Sequence, residues 1–530
     1  MNPIRSFVNA ACVFHILKPF AHDDFFEDDE LCVFVRGNGF WLDSVKWLDA
    51  SSIALAYKKY GELELNKVDG TFSIFINDKK KGDLIFVTDH LNFFPFYIKA
   101  TEEKYQISDS LSIFREMALD QFAIKQLFSI GSIVGKRTLV KDIKKLPPAS
   151  VTTIDSKGHL TETTYWKCEP VKTNATQFKS ILESTIGLIP QLSSSPSLTL
   201  TAGLDSRMVF SELLKQKINF QTFTFGHKGA VDVTTAKTIS RDFDIPHHSY
   251  RIDPSNKDFI ENFENEIAET SSYCDGMIPF IKGVHANYCF KKEAETSDLI
   301  VTATGELVYS HYAEVPTLLP KDSSSLFSIA KFLTQFNADT NRPKEFNSLE
   351  DIEKELIEYF EEYNLDSNIL YYDAFYLNKL TGLTSYLQQF LSSHVRLFNP
   401  IFTKKMIVHS MGLDQNLRDH RKLQREIIVT NNQKLNDYLV NGFKVVKPTF
   451  AKTLISKWNY GIRLFKKGTN RLLGKQFFTT GYIHYPSLLA ETNVLKKAMK
   501  IKRLGSLPVP SEKSSESYLF NFLSLEYWLK

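Results

Sequence analysis

No two cysteines in this chain are spaced as a metal clasp. The five of them, Cys12, Cys32, Cys168, Cys274 and Cys289, are odd in number and far apart. That excludes a complete disulfide framework and a CxxC zinc site, and it fits a reducing compartment. An HExxH helix is missing too. His247 and His248 are adjacent, so on a strand they face opposite sides and read as strand-end histidines rather than joint ligands. Nowhere does an apolar run reach the roughly 18 residues that a helical membrane span needs. The opening MNPIRSFVNAACVFHILKPF is interrupted by Arg5, His15 and Lys18. It carries no clean small-residue cleavage site, so a signal peptide is not expected and a cytoplasmic location is. Charge of one sign is also scarce: 64 Lys+Arg against 61 Asp+Glu leave a net +3, which gives no whole-chain field toward nucleic acid or an acidic membrane.

What is present is a large globular chain. At 530 residues and 43% hydrophobic it can bury an extensive core and is long enough for two or three domains. From Val68 the text alternates apolar and polar residues (Phe72, Ile74, Ile76; Leu84, Phe86) around a polar turn from Asp78 to Asp83, which predicts a β-hairpin in a β-rich region up to about Trp166. The polar KCEPVKTNATQ then reads as a linker. Beyond it helices and strands alternate through SLTLT, DSRMVFSELLKQK, FQTFTF, DVTTAKTISRDFD and HHSYRI. Such alternation predicts a largely parallel α/β sheet, and mostly helix is expected after Ser325. From Asn441 to Pro510 fourteen Lys/Arg face a single acid, Glu491. A solvated basic face is the ordinary explanation, and an anionic partner is the alternative.

One stretch carries chemistry: TLTAGLDSRMVF, Thr199 to Phe210. A short β-branched strand runs into the tight turn Ala202-Gly203-Leu204 and then into a helix. The turn delivers a helix N-terminus to the carboxyl edge of a sheet, where free N–H groups and the dipole attract phosphate and small residues let it approach. Thr201 and Ser206 add hydroxyls, and Asp205 could hold Mg²⁺. No Walker lysine follows, which disfavours γ-phosphate transfer. The plainer alternative is that Asp205 or Ser206 only caps the helix.

TAGLDS resembles the SGGLDS pyrophosphate loop of the asparagine synthetase family. Further segments resemble that family in the same order: VDGTFSIFIND, TDHLNFFPFYI, ISDSLSIF, GKRTLVKDIKKLPPAS, FTFGHKGAVDVTTAKTISRDFDIPHH, VTATGELVYSHY, RLFNPIF and KLQREI. The resemblance implies an N-terminal αββα, Ntn-hydrolase-like amidotransferase domain over 1–170. It also implies an α/β adenine nucleotide alpha-hydrolase-like (ATP-pyrophosphatase) domain over 171–440 with a helical C-terminal part, leaving a basic extension over 441–530. It implies ATP at Thr201, Ala202, Gly203, Leu204, Asp205, Ser206, Phe225, Gly226 and Gly305, and Mg²⁺ on Asp205 and Glu306. Either Arg421 or Lys422 would stand for the family's catalytic lysine.

The chain departs from the family twice. It starts Met1-Asn2-Pro3 instead of Met-Cys-Gly, and the amidotransferases use that first cysteine as nucleophile and its amine as base. Glutaminase activity is therefore not expected, and Cys12 reads as a structural thiol. In the second loop Thr304 occupies the place of the family's glutamate base and one residue is missing before Glu306, which puts asparagine as product in doubt. The expectation is an ATP-dependent ligase that adenylates a small-molecule, glycan or peptide carboxylate, releases pyrophosphate and passes the acyl group to ammonia or an amine. The alternatives are a non-catalytic scaffold and an ammonia-dependent asparagine synthetase.

Overall fold

The computed structural model describes residues 3–102, 104–312, 325–339, 342, 344–363, 365–440, 445, 488, 492, 494, 507 and 516–530. In chain order its strands are β1 Arg5–Val8, β2 Cys12–Ile16, β3 Asp24–Glu27, β4 Leu31–Trp41, β5 Lys46–Trp47, β6 Val68–Asp78, β7 Asp83–Thr88, β8 Tyr97–Ala100 and β9 Tyr105–Ser108. There follow β10 Ile143–Lys145, β11 Ser150–Ile154, β12 Leu160–Thr164, β13 Pro196–Thr199, β14 Gln221–Gly226, β15 His247–Arg251, β16 Leu299–Val301 and β17 Arg396–Phe398.

The first twelve strands form two sheets, ordered β1-β2-β9-β8-β10 and β12-β11-β7-β6-β4-β3, with β5 beside β4. The predicted hairpin is the β6–β7 pair, which closes with Asp78 opposite Asp83. Alternation decides what lies between the sheets. Cys12, Phe14 and Ile16 of β2 all point inward, and the Phe14 ring meets Phe75 at 4.5 Å, Phe86 at 5.1 Å and Phe96 at 5.5 Å. Helix Ala50–Tyr60 covers the other face of the larger sheet. It starts at Asp49, which accepts from Ser52 N, and ends at Gly61 with φ 74°.

The remaining five strands form one sheet, β15-β14-β13-β16-β17, with every pair parallel. β13 comes first in the chain and lies at the centre. The chain builds outward through β14 and β15, then crosses back to β16 and β17. Helices pack on both faces because parallel strands need long crossovers. Phe210, Met208 and Leu213 of helix Leu204–Lys215 join Leu198, Val301 and Ile401 in its core.

The stretch expected to be a linker is pinned. Thr173 is 1% exposed, and its N–H donates to Gly412 O at 2.9 Å, as Val171 N does to Val408 O at 3.0 Å. Gly412 is required there, since a Cβ would come within 1.9 Å of Val171 O. The seam between the halves holds buried charge as well. Lys18 meets Asp275 at 2.6 Å, with both side chains at most 1% exposed.

Most of the expected basic extension, including 446–487, lies outside the described residues, and with it the question of an anionic partner. Its last part does not behave as an appendage. Helix Glu516–Leu529 is apolar on several sides. Leu519, Phe520 and Leu523 pack with Phe259 and Phe263, while Tyr518, Phe522 and Trp528 pack with Leu111 and Phe128 from the N-terminal half. Among the described residues no helix is long and apolar enough to cross a membrane, and no disulfide forms among the cysteines.

Candidate functional site

In a parallel α/β sheet, ligands bind outside the carboxyl ends of the strands where the winding reverses. Here that point lies between β13 and β16. The loop after β13 is the TAGLDS stretch, and the loop after β16 is Thr302 to Gly305.

Gly203 is the N-cap of helix Leu204–Lys215, and no side chain supplies the cap. The plainer reading of Asp205 and Ser206 as helix caps therefore does not describe this turn. The Ser206 hydroxyl instead accepts from Thr201 N at 3.1 Å, and Gly203 N donates to Thr201 Oγ1 at 3.1 Å. Ala202 N donates to Asp232 Oδ1 at 2.8 Å, so a carboxylate oxygen already sits on a loop amide. Arg207 is fully buried beneath the loop and donates to Ala202 O at 2.9 Å and to Tyr438 O at 2.6 Å. Burial lowers its pKa to about 10.

Asp205 is the meeting point of three segments. Its Oδ1 accepts from Gln424 Nε2 at 2.5 Å, and its Oδ2 lies 3.8 Å from Arg421 Nη1. Gly305 presses on the same carboxylate, for a Cβ there would stand 2.6 Å from Asp205 Oδ1. Glycine is needed at 305 for that approach rather than for backbone freedom. Glu306 opens the short helix Glu306–Tyr309, and its Oε2 accepts from Tyr376 OH at 2.9 Å.

Arg421 and Lys422 are separated by their surroundings. The Arg421 guanidinium lies 3.7 Å from the Tyr309 ring centroid, whereas Lys422 is exposed at the start of helix Lys422–Asn431. Two consecutive left-handed residues, His420 (φ 52°, ψ 25°) and Arg421 (φ 56°, ψ 38°), kink the chain at this point. Such a pair costs backbone strain, and strain of this kind clusters at functional sites. On the other side, Phe225 stands one residue before the end of β14 with its ring 5.4 Å from that of His285, and Gly226 O accepts from Ile252 N at 3.0 Å.

Asp205 and Glu306 are the two carboxylates here that could share a divalent cation. They stand in the first turns of the helices that follow the two loops, and Mg²⁺ is commonly held by one or two carboxylates plus substrate phosphates. Among the described residues no group of three or more His, Cys, Asp or Glu could cage a metal without such a substrate. Sequence reasoning missed Gln424 and Tyr376. Gln424 lay inside the KLQREI motif, but Tyr376 gave no local signal.

The N-terminal half offers no comparable chemistry at Cys12, whose thiol is fully buried on β2 and pushed up to about 12 by burial.

Residues 46–166 match the family described as a glutamine amidotransferase domain. The chain is 24% identical over 231 residues to "Asparagine synthetase [glutamine-hydrolyzing] 1" of Bacillus subtilis (strain 168), a match covering 41% of this chain and 36% of that protein. It thus spans little more than a third of the relative's length. Among solved structures, the NMN synthetase from Francisella tularensis aligns over 39% of this chain and 95% of its own, with 12% identity and a TM-score of 0.21, too low for any inference. The chain is thus similar in part to a glutamine amidotransferase domain and in part to an asparagine synthetase.

Proposed function

We propose that this protein is an ATP-dependent, amide-forming ligase that activates a carboxylate as its acyl adenylate, releases pyrophosphate and passes the acyl group to ammonia or an amine. The observation that carries this reading is the convergence on Asp205. A helix N-terminus, a glycine-bearing second loop and a cation from a distant segment meet at the reversal point of a parallel sheet. In this reading the Leu204 end of the helix and the Thr201 and Ser206 hydroxyls receive phosphate oxygens, which displace Asp232 from the Ala202 amide. Phe225 and Gly226 border the adenine. Mg²⁺ held by Asp205 and Glu306 would neutralise charge on the phosphates and on the leaving pyrophosphate. Arg421, fixed by Tyr309, stabilises the charge that develops as pyrophosphate departs, and exposed Lys422 has no such part.

The N-terminal half serves in this reading as a brace without glutaminase chemistry, because the Cys12 thiol is buried in a sheet core and held protonated. A titration with Mg·ATP followed by a pyrophosphate-release assay on pooled carboxylates, with and without amines, tests the reading. Binding with release of pyrophosphate and AMP is expected, and cleavage to ADP and phosphate would refute the adenylation step. One feature favours a second reading, a scaffold that has lost catalysis: the amides of Thr201, Ala202 and Gly203 are all occupied by side chains of the chain itself. No binding of Mg·ATP would select it.

A further inference from the structure

Beside the segment that follows Glu306 lies a buried ion pair with no role so far. Arg418 and Asp373 are each 1% exposed, and Arg418 Nη2 lies 2.8 Å from Asp373 Oδ2. Arg418 ends the short helix Gln415–Arg418, three residues before Arg421. Asp373 stands on helix Asn368–Lys379, three residues before Tyr376. Both partners reach the same stretch of the second loop. Arg418 Nη2 donates to Leu307 O at 2.6 Å, and Asp373 Oδ1 accepts from Ser310 Oγ at 2.8 Å. The next turn of the Asp373 helix touches that stretch again, since Tyr376 OH donates to Glu306 Oε2 at 2.9 Å.

Three segments far apart in sequence, 306–310, 373–376 and 418–421, thus meet at one pair. Two of them carry strained backbone. Ser310 follows helix Glu306–Tyr309 at φ 51°, and His420 and Arg421 follow Arg418 at φ 52° and 56°. None of the three is glycine, and left-handed residues of this kind persist only where their surroundings over-determine them. The pair supplies that hold on both sides: Asp373 takes the Ser310 hydroxyl, and Arg418 ties the chain entering the kink to Leu307 O. Beyond the kink, Arg425 Nε donates to His420 O at 3.0 Å. Stability alone does not account for the pair, because burying two charges costs about as much as their attraction returns and well-packed apolar residues often serve as well. What the charged pair adds is direction, since an arginine and a carboxylate accept few mutual geometries.

We propose that Arg418 and Asp373 are positioning residues for the ligase reaction: the pair fixes the second loop against the kinked segment, so that Glu306 and Arg421 stay in register across the crevice. Both act through the chain at 307–310 and 418–421 rather than by touching substrate. The inference rests on the ligase site proposed above.

The test uses the full-length chain and the double variant Arg418→Met/Asp373→Asn, which removes both charges without stranding either and leaves Ser310 an acceptor. Pyrophosphate release is expected to fall about 100-fold in kcat, the scale of a displacement near 1 Å at reacting groups. KM for Mg·ATP should stay within about threefold, because none of the pair's hydrogen bonds goes to the Thr201–Ser206 loop. One nitrogen of Arg418 serves both of its acceptors, so Arg418→Lys should hold kcat within about tenfold of the parent. A second readout is independent of the reaction. Hydrogen exchange of the Val308 and His311 amides, which donate to Gly305 O and Glu306 O, and of the Lys422 amide, which donates to Asp419 O, should quicken together in the double variant. The Thr173 amide, bonded to Gly412 O, should keep its protection.

Unchanged kcat in a folded double variant overturns the proposal, as does exchange that quickens on one side of the crevice only or on neither. A loss of nucleotide affinity as large as the loss of kcat, or a Thr173 amide that quickens too, makes the pair a general structural brace and overturns it as well. If the parent chain releases no pyrophosphate, the ligase reading fails and the exchange result alone decides whether the pair positions the two segments. Should the double variant not fold, Ser310→Ala removes one contact of the pair: a fall in kcat of about threefold with joint quickening supports the proposal, and no change in either overturns it.

Discussion

The seam between the two halves and the cleft of the second half treat buried charge in opposite ways. At the seam, Arg36 is held by Asp23 at 2.8 Å and Asp109 at 2.6 Å. Asp275 receives Lys18 at 2.6 Å together with Tyr97 OH at 2.9 Å, Ser110 Oγ at 2.7 Å and Leu111 N at 3.0 Å. Each of these charges is answered within the chain. In the cleft, the Arg421 guanidinium lies 3.8 Å from Asp205 and against the Tyr309 ring, and water reaches both partners of that pair. The difference teaches how to tell a brace from a binding surface: a charge held at hydrogen-bond distance and closed to water holds structure, whereas a longer ion pair that solute can reach can be shared with a ligand. Lys145 marks the limit of that rule. Its Nζ is buried without a partner, but at 4% exposed it is closed to any ligand.

Substitutions can break this contrast. Asp205→Asn has the largest expected effect: pyrophosphate release should fall by orders of magnitude because Mg²⁺ loses a charged ligand. The fold should persist, since asparagine keeps an oxygen that can accept from Gln424. Steady-state release and a melting curve on the same preparation measure both, and full activity in this variant would refute the cradle.

Lys18→Met should do the reverse, costing about 3–5 kcal/mol of stability because it strands the buried Asp275 carboxylate. Mg·ATP affinity measured well below the melting temperature should hardly change. A denaturant midpoint equal to that of the parent chain would show that the seam is not a brace.

Smaller than both is the effect of Arg421→Ala, expected to raise the activation barrier by about 2–3 kcal/mol, as losing one oriented donor to a developing charge does. Lys422→Ala should stay within about 0.5 kcal/mol in activity and stability alike. Reversed ranking of the two variants would move the catalytic cation to Lys422.

The smallest effect is on pH. Burial lowers His90 and His285 to about 3, and His22, His247, His311 and His394 to about 4. Below about pH 6.5 the unfolded chain binds protons that these folded imidazoles refuse, so their contribution to stability is lost as pH falls. Asp89 and Asp69, raised by burial to about 7 and about 6, oppose this by taking up protons on folding. Asp23, Asp83, Glu266, Asp275 and Asp373 are raised as well, and His15 and His409 lowered, so eight imidazoles face seven carboxyls and the melting temperature should decline only slightly from pH 7 to pH 5. A rise over that interval would mean that the carboxyls dominate.

Local spacing was enough to read much of the architecture. The β6–β7 hairpin, the alternation that builds the parallel sheet, and the strand-turn-helix around Gly203 follow from periods of two and 3.6 residues that a short window already contains. The ordered family motifs added the pairing of the first loop with Gly305 and Glu306. Tertiary structure alone decided the rest. Gln424 meets Asp205 across 219 positions, and Lys18 meets Asp275 across 257. The adjacent cations Arg421 and Lys422 are indistinguishable in sequence, and the left-handed turn at His420 and Arg421 turns one toward Asp205 and leaves the other in solvent. Nor does the apolar text of Glu516–Leu529 announce that it packs against both halves. Periodicity is a property of neighbours, whereas a partner hundreds of residues away depends on which strand lies at the centre of the sheet and which faces the packing brings together, and no local pattern encodes that.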